Sequence, residues 1–307
     1  MVIPALLFLA LAATAAAPAA GKPPPRPRVL GLSHVAFRVS DSVRARSFYE
    51  TLLGYPVAAA PDGLRVAVSN RQFVALRAGL NPVEDRLDHV ALETDDVEAM
   101  RAYLAARGIG VPAAVAQDES GNRAFTVRDP EGWVVELVQH SSAGWPENAP
   151  RVTAHPGVPL SRRILHAGIL VGDLPAAIRF YGDVLGLIET WRGSRSGTEL
   201  SWTNMKVPDG DDYVEFMLYA QIPAPHARGT AHHLCLEVPD IEAAKARLAE
   251  RVSAAAYTRP LEARVGTNRK RQLNLFDPDG TRVELMEPRT VDGEPVPPST
   301  APPPRRP

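Results

Sequence analysis

The chain has 307 residues, 45% apolar and 22% charged, with 34 Lys and Arg set against 35 Asp and Glu. That length is enough for two domains that each bury a core, and the composition excludes both wholesale disorder and a polytopic membrane protein. Balanced charge gives no net field to draw in nucleic acid or an anionic membrane, so the expected partner is a small-molecule substrate, taken by a monomer or a homodimer.

In chain order, residues 1–20 come first. They carry no charged side chain, and an apolar run from Val2 to Ala13 leads into the small residues Ala-Ala-Ala-Pro-Ala-Ala. This is the pattern of a secretory signal cleaved near Ala17 or Ala19, which predicts an exported protein, periplasmic or secreted, with no stable membrane insertion after cleavage. An uncleaved N-terminal anchor is the alternative, because the uncharged stretch approaches the roughly 18 residues that span a bilayer. A Pro-rich linker, residues 21–28, follows.

Proline then divides the remainder. A second Pro-rich linker covers residues 141–161 and a Pro-rich tail, expected to be disordered, covers 288–307. Between them lie a first domain, residues 29–140, and a second, residues 162–287.

Each domain shows one pattern twice: a short apolar strand ending in Asp, a helix of about three turns, then several strand-like runs. The opening strands are SHVAFRVSD, DHVALETDD, LHAGILVGD and HHLCLEVPD. Their terminal Asp suits a helix N-cap, whose carboxylate accepts the free N–H groups of the first turn. Apolar stripes mark the helices (Val97, Met100, Leu104; Leu174, Ile178, Tyr181; Ile241, Ala244, Leu248), and Gly54, Gly108 and Gly186 supply the positive φ that ends three of them. DPEG (129–132) and DPDG (277–280) give turn chemistry before a final strand. The fold class is therefore α+β, four βαβββ modules paired into two domains with curved mixed sheets.

The chemistry-bearing residues recur with the repeat. His34 overlays His166, His89 overlays His233, and Glu136 overlays Glu284. Each histidine opens the first strand of a module and each Glu lies in the strand after a DPxG turn. Two imidazoles and one carboxylate from three strands form a facial set for a divalent metal that leaves other coordination positions open. The only cysteine, Cys235, lies in an apolar run, so no CxxC motif exists and the metal must rest on His and Glu. The residues two beyond the histidines, Ala36, Ala91, Gly168 and Cys235, are all small, which predicts room for metal and substrate on that face. In the second domain Glu215, on the strand DYVEFMLYA, is a candidate fourth ligand; the corresponding place in the first domain is Ala75. His232, beside His233 but on the opposite face, is expected at the surface, and His140, His155 and His226 in solvent.

These residues resemble the vicinal oxygen chelate superfamily, which includes glyoxalase I, extradiol dioxygenases and bleomycin-resistance proteins. ILHAGILVGDLPAAIRFYGDVLGL is similar to the opening of a bacterial glyoxalase I, and SHVAFRVSDSVRARSFYETLLGY is a looser version. The resemblance implies that His166, Glu215, His233 and Glu284 match the four glyoxalase-type ligands, and that His34, His89 and Glu136 match the three-ligand pattern shared with the dioxygenases, with Zn, Ni, Fe(II) or Mn as the metal. Leu170 and Tyr219 stand where glyoxalase I carries the Arg and Asn that hold glutathione, which argues against that substrate. Asn274 and Thr126 stand where extradiol dioxygenases carry an acid–base Tyr, which argues against catechol cleavage.

The leading expectation is a metal-dependent glyoxalase-like lyase or isomerase acting in the second domain on a substrate with vicinal oxygens, through a metal-stabilised enediolate, with Glu284 or Glu215 moving the proton. The alternatives are an extradiol-type dioxygenase and a non-catalytic small-molecule binding or resistance protein.

Overall fold

The computed structural model describes residues 24–149 and 158–305. The signal-like segment and His155 lie outside these residues, and among the described residues no helix is long and apolar enough to cross a membrane.

The expected α+β architecture is present as two eight-stranded sheets. In the first, β1 (Val29–Val39) is followed by a helix, α1 (Ser42–Arg46), which passes into a π-helical segment, Ser47–Leu52. Three strands complete the module: β2 (Val57–Ala60), β3 (Gly63–Ala67) and β4 (Phe73–Ala78). The second module is β5 (Leu87–Thr94), α2 (Val97–Ala106), β6 (Ala116–Gln117), β7 (Arg123–Arg128) and β8 (Val134–Gln139). β1 and β5 pair antiparallel at the centre, and each pairs in parallel with the last strand of its own module, giving the order β2-β3-β4-β1-β5-β8-β7-β6.

The second sheet repeats this with β9 (Ile164–Val171), α3 (Leu174–Ala177) and its π-helical continuation Ile178–Val184, then β10 (Ile188–Gly193), β11 (Trp202–Lys206) and β12 (Tyr213–Leu218). Its fourth module is β13 (His233–Glu237), α4 (Ile241–Arg251), β14 (Ala263–Val265), β15 (Lys270–Phe276) and β16 (Arg282–Thr290). The order is β10-β11-β12-β9-β13-β16-β15-β14.

Local chemistry explains the module. Asp41, Asp96, Asp173 and Asp240 each accept N–H bonds from the first helical turn. Gly54, Gly108 and Gly186 adopt φ of 81°, 76° and 80°, where a side chain is disfavoured.

The two halves do not keep separate cores. One contiguous apolar cluster draws Val35, Tyr49, Leu92 and Leu104 from the first half and Ile169, Tyr181, Leu236 and Leu248 from the second. Gln72 ties the sheets together: its Nε2 donates to the carbonyls of Leu32 and Ile164, both at 3.1 Å, and its Oε1 accepts from Ile164 N at 2.8 Å.

The DPxG turns do more than reverse the chain. Glu131 accepts from the backbone N–H of Gly172 and Asp173 at 2.9 and 2.8 Å, at the start of α3, and Asp279 accepts from Ser40 N at 3.0 Å, at the start of α1. Each half thus clamps the strand-to-helix junction of the other.

The Pro-rich segments also differ from expectation. β16 runs on to Thr290, Ser299 N donates to Arg192 O and Leu200 N to Pro302 O, so residues 288–302 lie against the second sheet and are not a free tail. In the linker, Trp145 packs beside Phe73 with ring centroids 6.0 Å apart and accepts from Asn122 Nδ2.

Candidate metal centres

Sheet register places the ligands. Across the first sheet one row reads Phe73, His34, Ala91, Glu136, Thr126, and the next reads Ala75, Ala36, His89. The corresponding rows of the second sheet read Tyr213, His166, Cys235, Glu284, Asn274 and Glu215, Gly168, His233, Arg282. Because side chains alternate faces along a strand, residues two apart share one face, and three ligands from three adjacent strands converge on it.

They do converge. In the first centre His34 Nε2 lies 2.9 Å from His89 Nε2, and Glu136 Oε2 lies 3.2 and 3.5 Å from those two nitrogens. In the second, His166 Nε2 lies 3.0 Å from His233 Nε2, with Glu284 Oε2 at 3.7 and 3.5 Å. Each set of three donor atoms fits within 4.8 Å, and all six side chains are buried. Glu215 Oε2 approaches the second centre at 3.8 Å from His166 and 3.4 Å from His233.

Each of the small residues lies directly across from a ligand histidine of the neighbouring strand: Ala91 from His34, Ala36 from His89, Cys235 from His166 and Gly168 from His233. A β-carbon on Gly168 would come within 1.9 Å of the His233 ring. The space beside Gly168 is taken by the His233 imidazole.

Orientation is fixed from behind. His89 Nδ1 meets Asp88 Oδ2 at 2.9 Å and His233 Nδ1 meets the Ala231 carbonyl at 2.8 Å, contacts that keep the proton on Nδ1 and direct an Nε2 lone pair inward. His34 stacks on Phe73 and His166 lies over Tyr213, with centroids 4.3 and 4.5 Å apart.

The electrostatics call for a cation. Two inward lone pairs about 3 Å apart repel unless a proton or metal lies between them. Burial lowers His34 and His166 to about 4, so each is a neutral donor. Burial also acts against charge on His89, but Asp88 and Glu136 outweigh it and raise this imidazole to about 9. Despite burial, Glu136 stays well below the carboxylate range because His34 and His89 face it, and Glu284 does so because Arg282, His233 and His166 surround it. Glu136 Oε2 nonetheless receives no directed hydrogen bond. An ionised buried carboxylate with two imidazole nitrogens at one point is a donor set that fits a divalent ion.

The two centres differ in surroundings. The second lies at a cavity of about 310 Å³ lined by Trp191, Trp202, Met217, Arg264, Glu215 and Glu284. The first opens on a cavity of about 680 Å³ shared with the other half through Pro225 and Arg228. Ala75 stands in place of Glu215, and its β3 neighbour is the buried Arg65, which pairs with Asp62 at 2.8 Å.

Two other histidines, His232 and His140, differ from expectation. His232 is fully buried, contacting Asp85 at 3.1 Å and lying edge-on to Trp133 at the junction of the halves. His140 is largely buried and joins Ser33 Oγ at 2.7 Å, which in turn contacts His34 Nδ1 at 3.1 Å. His226 is exposed, as expected. Buried Ser33 beside His34 was the one available signal for the His140 contact.

Comparison with known proteins agrees with this geometry. The family model described as Glyoxalase/Bleomycin resistance protein/Dioxygenase superfamily matches residues 31–137 and 163–285. The uncharacterized protein YwbC of Bacillus subtilis (strain 168) is 28% identical over 128 residues, 42% of this chain and 99% of its own length. Among solved structures, the 2,3-dioxygenase LapB from Pseudomonas sp. KL28 has a TM-score of 0.63 at 18% identity, covering 89% of this chain and 98% of LapB. A Mn(II)-bound glyoxalase from Novosphingobium aromaticivorans has a TM-score of 0.64 at 19% identity, covering 88% and 84%. At these identities the likeness is one of fold.

Proposed function

We propose, from the premise that this chain belongs to the glyoxalase/bleomycin resistance protein/dioxygenase superfamily, that its second half is a metal-dependent lyase or isomerase for a small substrate with vicinal oxygens. The observation that carries this reading is the pair of carboxylates, Glu215 and Glu284, at 3.4 and 3.5 Å from His233 Nε2 beside a cavity.

His166, His233 and Glu284 would hold the ion, with Glu215 as a fourth ligand. A divalent ion held there would supply Lewis acidity toward a substrate with vicinal oxygens, making the C–H beside them easier to ionise. The rest of the work falls to the protein. Glu215 lies outside the tight three-atom set, and His166 and His233 hold it ionised against the burial penalty, so it is the group placed to take the proton. Glu284, held ionised by Arg282 and the imidazoles, stays a ligand. Trp191, Trp202 and Met217 are the large apolar groups that line the cavity beside the two carboxylates.

The test is solvent exchange. Metal-loaded protein in D2O, given α-hydroxy ketones, α-keto aldehydes and thioesters, should place deuterium at the carbon next to oxygen, and Glu215→Gln should lose this while retaining metal. Metal-loaded protein that exchanges no proton on any of them refutes the reading.

The first centre favours a second reading for its own half. With Ala75 in place of a carboxylate it offers three ligands only, the pattern that leaves positions open for oxygen chemistry at Fe(II). Oxygen uptake with a panel of diols, sensitive to His34→Ala and insensitive to Glu215→Gln, would support extradiol-type activity there. A protein that only binds would keep ligand affinity in Glu284→Gln and turn over nothing.

A further inference from the structure

The two cavities treat arginine in opposite ways. At the first, Arg38 pairs with Asp88 at 2.8 Å, Arg77 meets Asp62, Asp88 and Glu119 at 3.0, 3.0 and 2.8 Å, and Arg228 pairs with Asp85 at 3.0 Å. Every guanidinium that lines it is neutralised. The second cavity is lined by Arg195, Arg264 and Arg282, and among the described residues none of these lies within 4.0 Å of a carboxylate. The only carboxylates in its wall are Glu215 and Glu284, whose charge a divalent ion would take up.

Two buried donors in that wall also lack partners: Arg282 Nε and Trp191 Nε1. A buried donor without an acceptor is costly to keep, so such a pair in one wall points to a ligand that accepts. Register makes the contrast specific, because the position of Arg282 beside His233 falls on Val134 in the first sheet. Two indole rings, Trp191 and Trp202, stand among the polar side chains of the wall. Arg195 lies over the Trp202 ring at 5.3 Å, and the Trp191 ring rests on Gly193, where a β-carbon would come within 2.1 Å of it.

We propose that the second cavity selects substrates bearing an anionic oxyacid group, a carboxylate or a phosphate, on a compact flat body, with Arg264 and Arg282 holding the anion and Trp191 and Trp202 flanking the body. A guanidinium fork matches two oxygens of such a group. The cavity, about 310 Å³, is near the lower end of the roughly 300–1,000 Å³ span of small-molecule sites, a size that suits a compact reacting group. The proposal deepens the lyase or isomerase reading and rests on it for the position of the reacting oxygens.

The experiment is equilibrium binding to metal-loaded full-length protein, with three probes of one shape: 3,4-dihydroxybenzoate, 3,4-dihydroxybenzamide and 3,4-dihydroxyphenylphosphonate. Trp fluorescence or calorimetry reports affinity without turnover. One or both anions should bind roughly tenfold or more tightly than the amide, the scale of one charge-assisted hydrogen bond, and the tighter anion identifies carboxylate or phosphate. In Arg282→Val and in Arg264→Met the preference should fall toward unity, while in Arg264→Met amide affinity and metal content hold. Two variants are used so that misfolding of one leaves the other decisive. Equal affinity for all three probes, a preference that survives both substitutions, or no measurable binding of either anion overturns the proposal. Absence of deuterium exchange on the α-hydroxy ketones, α-keto aldehydes and thioesters of the solvent-exchange test, with the charge preference intact on these three probes, would strike the lyase or isomerase reading alone.

Discussion

Gly168 and the ring of His233 face each other across adjacent strands so closely that a β-carbon on the glycine would lie 1.9 Å from the imidazole. Gly168→Ala should therefore displace His233 from the second centre while leaving the first untouched. Losing one well-placed ligand or its support weakens metal binding by about 10–100-fold. Competition titration with a chelator, read separately for the two centres through His34→Ala and His166→Ala backgrounds, checks this. Unchanged affinity at the second centre would mean that His233 is not a ligand.

Asp88 and Ala231 perform the same task with different atoms. Asp88 holds His89 by a carboxylate at 2.9 Å, whereas His233 is held by a backbone carbonyl at 2.8 Å that no side-chain change removes. At about pH 9 and above, where His89 has given up its extra proton and Asp88 acts only by orienting the ring, Asp88→Ala should lower metal affinity at the first centre by about 10–100-fold and leave the second as it was. Metal content per chain after dialysis against graded chelator distinguishes the two.

The places of the candidate ligands were legible in the sequence because each is set by local order: a histidine opens a module, an Asp caps the helix that follows, and the Glu comes after a DPxG turn. Glu215 and its missing counterpart at Ala75 were legible for the same reason, since one register relates them. What escaped involves residues far apart in the chain. His232 meets Asp85, His140 meets Ser33, and Glu131 caps the start of α3 across the junction. Periodicity says which face a residue occupies and not which other strand covers it. That each small residue lies across from a histidine of the next strand is a relation that only pairing register reveals.

His89 predicts a pH dependence for metal loading at the first centre. Although burial opposes charge, Asp88 and Glu136 raise this imidazole to about 9, so at pH 7 it carries a proton that it must give up to bind metal. His34, lowered by burial to about 4, is already neutral and contributes none. Apparent affinity should rise about tenfold per pH unit between roughly 7 and 9 and then level off, with one proton released per ion. Calorimetry in buffers of different ionisation heat counts that proton. Loading that is flat across this range would show that His89 enters the reaction neutral.

Asp129 predicts a pH dependence of a different kind, in the junction between the halves. Its Oδ1 accepts from Glu131 N and Trp133 N, its Oδ2 accepts from Tyr181 OH at 3.0 Å, and burial raises its carboxyl to about 6 despite these bonds. The folded chain therefore holds this proton to higher pH than the unfolded chain. The stability it supplies is full below about pH 4 and is lost as pH climbs through 6, by about 3 kcal/mol as an order of magnitude. Asp129→Asn keeps the Oδ1 acceptor, and its amide can donate to Tyr181 Oη. The variant should thus melt several degrees above the parent at pH 8, at roughly 2–4 °C per kcal/mol, and near the parent at pH 4. Thermal unfolding at the two pH values decides it: a variant less stable at both would mean that the ionised carboxylate strengthens the junction, reversing the sign derived from its burial.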